Sequence, residues 1–123
     1  MNHLPECENE IMMIIWEKSE LDQKGVTCDE IMEKLDKTWT KTTVLNFLTR
    51  LCKRGFLECE KQNRVNLYSP AVKKEDYLKS ESESFLKRMH NSSLSSLIAS
   101  LYDGKNISKD DLEQLKKFIE EAE

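Results

Sequence analysis

Histidine and glycine are scarce in this 123-residue chain, and their placement rules out several chemistries. The two histidines, His3 and His90, stand far apart, and no H-E-x-x-H pair exists. The three glycines build no phosphate-cradling loop, and the serines between Ser80 and Ser100 have no base beside them. The sequence therefore offers no catalytic set, and no cofactor is expected. Cysteine is limited to Cys7, Cys28, Cys52 and Cys59, with no C-x-x-C or C-x-C pair and no neighbouring histidine. That pattern predicts small buried hydrophobes in a reducing compartment, with neither a disulfide framework nor a metal site. The longest apolar run, Ile11 to Trp16, is far short of the roughly 20 residues a membrane span needs. The N-terminus also lacks a basic patch leading into an apolar stretch and a cleavage site. A cytoplasmic protein without stable membrane association is expected.

Charge is plentiful and unevenly spread. The net charge is −4, yet residues 36–74 carry nine Lys/Arg against three Asp/Glu. Residues 1–35 carry nine acidic and three basic side chains, and residues 75–123 eleven acidic and seven basic. A positive stretch inside an acidic chain suits a polyanion, while the acidic remainder limits indiscriminate binding.

Hydrophobic spacing gives the elements. Pro5 precedes a helical pattern running to about Lys18, in which Cys7, Ile11, Ile14 and Ile15 share a face and Glu8 and Glu10 turn outward. Ser19 to Gly25 reads as a loop. Thr27-Cys28-Asp29-Glu30 is a capping box opening a short helix through Ile31, Met32 and Leu35. After a break at Asp36–Trp39, Thr40 starts a third helix with a buried stripe of Val44, Phe47, Leu48 and Leu51, and Gly55 stops it. Trp39 is expected to wedge that break into the core. A short helix, a tight break and a longer basic helix form the helix-turn-helix pattern. Phe56–Lys61 and Val65–Ser69 alternate like two strands about the polar turn Gln62-Asn63-Arg64, and Pro70 ends the second. The expected fold is mainly α with a small β-hairpin wing: a winged helix-turn-helix over residues 1–72, then a helical dimerisation segment over 73–123.

The third helix carries the DNA-reading candidates. Thr42, Thr43, Leu45 and Asn46 lie off the buried stripe. Asn46 suits adenine, and threonine methyls suit thymine. Lys41, Arg50, Lys53 and Arg54 suit backbone phosphates, with Arg50 alternatively an internal ion-pair partner. Thr40 serves equally as a cap or a phosphate contact. Lys61 and Arg64 at the wing tip reach a phosphate or the minor groove, or form an ordinary polar turn.

The C-terminal third holds three amphipathic patterns. Tyr77, Leu78, Phe85, Leu86 and Met89 mark a helix from about Lys74 to Met89. Leu94, Leu97, Ile98 and Leu101 mark the next, which Asp103–Asn106 breaks. Ser108 and Asp111 box the start of a last helix bearing Leu112, Leu115, Phe118 and Ile119. Short amphipathic helices cannot easily bury their apolar faces alone. A homodimer is the expected solution, and folding back onto the winged helix the alternative.

Several of these segments are similar to one family. Glu8-x-x-Ile11-Met12-x-x-Ile15-Trp16 resembles the A-E-x-x-I-M-x-x-L-W opening of the BlaI/MecI penicillinase repressors, with Cys7 in place of the alanine. Trp39-x-x-x-Thr43-Val44-x-x-x-Leu48-x-Arg50-Leu51-x-x-x-Gly55 is similar to that family's recognition-helix signature. Tyr68-Ser69-Pro70 and Ile107-Ser108-x-x-Asp111-Leu112-x-x-Leu115 match its wing end and last helix. The resemblance covers nearly the whole chain. It implies a dimeric repressor on a palindromic operator with TACA/TGTA-type half-sites, controlling β-lactam resistance genes. It also implies cleavage by a membrane sensor-protease in the fifth helix. On this chain that bond falls at Ser100–Leu101, where the family's Asn-Phe pair is missing. The C-x-C pairs of copper-responsive relatives are absent, since no cysteine follows Cys59. Leu45 replaces a basic residue of some members, so the operator is expected to differ.

Two other readings stand beside this one. A winged helix used as a protein-interaction module would expose an apolar face where Thr42, Thr43 and Asn46 stand. A ligand-sensing repressor would need a pocket between the dimer helices.

Overall fold

A computed structural model describes residues 3–22 and 24–122. In chain order it contains α1 (Glu6–Leu21), α2 (Cys28–Lys34), α3 (Lys41–Lys53), β1 (Leu57–Gln62), β2 (Val65–Pro70), α4 (Lys74–His90), α5 (Leu94–Asp103) and α6 (Lys109–Ala122). Among the described residues, six helices and one antiparallel hairpin bear out the mainly α, winged helix-turn-helix expectation. The chain falls into two compact units, residues 1–79 and 80–123, with the seam inside α4.

Pro5 stands ahead of the first turn of α1 with φ −56, pre-set for a helix entry. The helix runs three residues beyond Lys18, so Ser19–Leu21 is helical rather than loop; Gln23 of that predicted loop lies outside the described residues. Its buried stripe is Glu8, Ile11, Met12, Ile15 and Trp16, spaced as one helical face. The expectation that Glu8 points outward is thereby corrected: the side chain is 1% exposed. Its carboxylate accepts from Arg54 Nη1 at 3.3 and 3.2 Å, and this partner from the far end of α3 permits an acid in a core stripe.

The capping box of α2 forms as the sequence implies. The Glu30 N–H donates to Thr27 Oγ1 at 3.1 Å, and the Thr27 N–H donates to Glu30 Oε1 at 3.2 Å. Thr40 Oγ1 likewise accepts from the Thr43 N–H at 3.2 Å and caps α3. Val44, Leu48 and Leu51 of α3 are buried, while Phe47 is only half-buried and stacks on Trp39 at 5.4 Å. Gly55, at φ +83, supplies the left-handed residue that turns the chain into β1.

In the hairpin, Gln62 pairs with Val65 and Leu57 with Pro70, leaving a two-residue turn at Asn63-Arg64. Both turn residues have positive φ, 50 and 68, the signature of the type I′ turn that matches strand twist. Tyr68 also bridges Val26 through paired backbone hydrogen bonds of 2.8 Å. Gly25, at φ +98, makes that approach feasible, since a Cβ there would stand 3.0 Å from the Leu67 Cβ.

The core of the first unit gathers Leu4, α1, α2, α3, Phe56, Leu57 and Tyr68, and extends to Tyr77 in α4. Tyr77 stacks edge-on to Phe56 and tilted to Trp16, each at 5.6 Å, and its hydroxyl accepts from the Leu4 N–H at 3.1 Å. The Trp16 indole N–H donates to the Val72 carbonyl at 2.9 Å. These contacts attach the first turn of α4 to the winged helix.

In the second unit, Ser93 caps α5, and Ser108 with Asp111 boxes α6 at 2.9 and 3.0 Å. No residue of α5 or α6 is buried. Leu86, Leu97, Ile98, Leu112 and Leu115 are half-buried, while Phe85, Met89, Leu94, Leu101, Tyr102, Phe118 and Ile119 are exposed, Phe118 by 69%.

Burial of the cysteines holds fully only for Cys28. Cys7 and Cys52 are half-buried, and Cys59, like every residue of β1 after Leu57, is exposed. Among the described residues, no helix is long and apolar enough to cross a membrane.

Candidate nucleic-acid interface

The two-helix corner made by α2 and α3 presents one outward face of α3 and, beyond it, the hairpin. Thr42, Asn46 and Thr49 repeat at helical spacing on that face, and all three are exposed. Asn46 is free to form paired hydrogen bonds with a base edge. The Thr49 hydroxyl donates to the Leu45 carbonyl at 2.9 Å. Thr43 is half-buried, with its hydroxyl 3.0 Å from that of Thr40. Thr40 therefore caps the helix, while its exposed position keeps it beside any phosphate at the helix start. Leu45 is half-buried and packs partly on the core.

The basic candidates divide by their partners. Arg50 lies over the Phe47 ring at 5.8 Å, so a cation–π contact holds an exposed guanidinium near the base-reading face. Lys53 is exposed in the last turn of α3. Lys61 and Arg64 are exposed on the wing, Arg64 at its tip. Arg54 is committed to Glu8, so its charge already serves the core. Lys41 Nζ lies 3.0 Å from Asp29 Oδ1, and the hydrogen bond and charge of Asp29 push the lysine pKa up.

Lys41 and Asp29 line a cleft of about 220 Å³ together with Arg64, Val65 and Asn66 of the wing and with Leu45, Cys28 and Tyr68, of which Cys28 and Tyr68 are buried. Burial pushes the Cys28 thiol and the Tyr68 phenol up, as expected for neutral groups beneath a charged rim. Asp29 and Asn66 are the participants that sequence reasoning missed. Asp29 counts in sequence as one of nine acids in residues 1–35, and nothing local marks it as the neighbour of Lys41.

Comparison with known proteins places this arrangement. The family model described as penicillinase repressor matches residues 4–121. The penicillinase repressor of Bacillus licheniformis is 31% identical over 120 residues, covering 96% of this chain and 90% of that protein. The methicillin resistance regulatory protein MecI of Staphylococcus aureus is 28% identical over 115 residues, covering 92% and 89%. Among solved structures, monomeric Bacillus licheniformis BlaI in complex with the blaP half-operator matches with a TM-score of 0.50 and 31% identity. It covers 62% of this chain and 89% of that one. The free BlaI DNA-binding domain matches with a TM-score of 0.51, over 61% and 88%. On the sequence features, the fold and these likenesses together, the chain belongs to the penicillinase repressor family.

Proposed function

We propose that this chain is a DNA-binding transcriptional repressor, not an enzyme, that works in the cytoplasm as a homodimer on a palindromic operator. The observation that carries the reading is the exposed row Thr42, Asn46 and Thr49 on α3, flanked by Arg50 and Lys53 and continued by the wing-tip Arg64. Polar side chains of that size read base edges, and the cations around them fix the register on the backbone. The likeness to a solved BlaI–half-operator complex supports the DNA partner.

Thr42, Thr43, Leu45 and Asn46 are the base-reading candidates. Thr40, Lys41, Arg50, Lys53, Lys61 and Arg64 are the phosphate candidates. Arg54 stands apart because its guanidinium braces Glu8. The exposed apolar side chains of α4 to α6, with Phe118 and Ile119 foremost, support a second copy as their cover. A palindromic operator follows from that two-fold arrangement. The genes controlled are those of β-lactam resistance, as the names of the relatives suggest. The sensor-protease cleavage that the family resemblance implies would fall near Ser100–Leu101 in α5, and the absent Asn-Phe pair makes a different cutting specificity part of this reading.

The test is a fluorescence-anisotropy titration at physiological salt of a palindromic duplex with TACA/TGTA half-sites against a scrambled duplex. Operator binding tighter by about a thousandfold or more supports a sequence-specific repressor. Weak and equal binding to both duplexes, and to every duplex recovered by selection from random DNA, would overturn it in favour of a protein-interaction module.

A further inference from the structure

The Asp29–Lys41 pair sits where the proposed DNA backbone would lie, and although an acid suits the first turn of α2, core packing does not require its contact with Lys41. Lys41 is the first residue of α3, and Asp29 is in the first turn of α2. Both side chains are well exposed, at 55% and 73%, so their 3.0 Å contact ties down nothing in the core. The pair lines the same cleft as Arg64 and Asn66 of the wing. A cleft lined by both a helix-turn-helix corner and a wing, with the cations Lys41 and Arg64 in its lining, suits a phosphate group of a nucleic-acid backbone. The carboxylate on Lys41 supplies the charge and the acceptor oxygens that such a phosphate would bring.

We propose that Asp29 is a built-in stand-in for a DNA phosphate: it neutralises Lys41 in the free protein and must release it when the backbone enters the cleft. The inference rests on the DNA-binding reading of this face and adds a residue that sets affinity without touching a base. Every backbone phosphate that takes Lys41 first displaces a carboxylate, which is left unpaired and recruits a cation from solution. Asp29 therefore weakens binding to any sequence alike, and it lessens the net number of cations released. An acid on the DNA-binding face keeps a protein with a strongly basic segment from occupying random DNA.

The test uses the full chain in four forms: wild type, Asp29→Asn, Lys41→Gln and the double variant. Each is titrated by anisotropy against operator and scrambled duplexes over a range of potassium chloride. Asp29→Asn is expected to tighten both complexes about two- to fivefold at low salt, the span of an exposed ion pair. Its log–log salt slope should steepen by up to about one, so that the gain fades as salt rises. On the Lys41→Gln background the same substitution should change affinity little. Melting temperatures should stay together, since the pair is exposed. An unchanged affinity and slope would overturn the proposal, and so would an equal gain with and without Lys41, which would make Asp29 a distant charge only. Equal wild-type binding to both duplexes, with the Asp29 effect intact, would overturn sequence-specific repression but leave this inference standing.

Discussion

Arg64 occupies a backbone position that suits a residue without a side chain, and replacing it with glycine separates stability from function. At φ 68 it is the second of the two left-handed residues in the wing turn. A Cβ in that conformation costs roughly 1–2 kcal/mol. Asn63, at φ 50, tolerates its own position better, because asparagine bonds its local backbone there. Arg64→Gly relieves the strain but gives the unfolded chain more freedom, which returns about 0.5–1 kcal/mol. The net expectation is a gain of about 0.5–1 kcal/mol. For a unit of this size that raises the melting temperature by about 3–6 °C in circular dichroism. The same substitution removes a guanidinium from the wing tip, so operator affinity should fall and the salt slope should shrink by about one. A variant that melts no higher than wild type would refute the strain argument. One that melts higher yet binds DNA unchanged would remove the wing tip from the interface.

Other outcomes follow from the same geometry. Arg54→Ala should cost about 2–4 kcal/mol in urea unfolding, because it strands a Glu8 that is 1% exposed, whereas Lys53→Ala should cost almost nothing. A loss below about 0.5 kcal/mol for Arg54→Ala would show that Glu8 finds water instead. Asn46→Ala should cost roughly 1–3 kcal/mol on the operator and little on random DNA, while Arg50→Ala should weaken both. Equal losses on both DNAs for Asn46→Ala would end its base-reading role. Among the thiols, Cys59 should be alkylated first by iodoacetamide, followed by mass spectrometry. Burial pushes the Cys28 and Cys52 thiols up, so their thiolate fraction at neutral pH is low and their labelling should accelerate only in alkali. Labelling of Cys28 as fast as Cys59 at pH 7 would mean that α2 opens readily.

Local signals carried most of the fold. Both boxes, at Thr27–Glu30 and Ser108–Asp111, form as written, because their partners sit three residues apart. The apolar spacing of α3 and the alternation of the wing strands likewise depend on near neighbours. Long-range pairing was not legible. Glu8 reads as an outward acid until Arg54, 46 positions away, is seen to reach it. Lys41 reads as a free cation until Asp29 is found beside it. Tyr77 resembles its neighbours in an amphipathic helix, and its contacts with Leu4, Trp16 and Phe56 reveal that it belongs with the first unit. The base-reading row was legible as helix geometry, since it is what remains once the buried stripe is subtracted.

The seam through α4 marks where the core's hold on that helix ends. Tyr77 fixes the rotational phase of that helix in the first unit, and its later turns belong to the second, with no glycine or proline between residues 73 and 90. Every buried residue of the core lies at or before Tyr77, so a chain ending at Lys79 would keep that core whole.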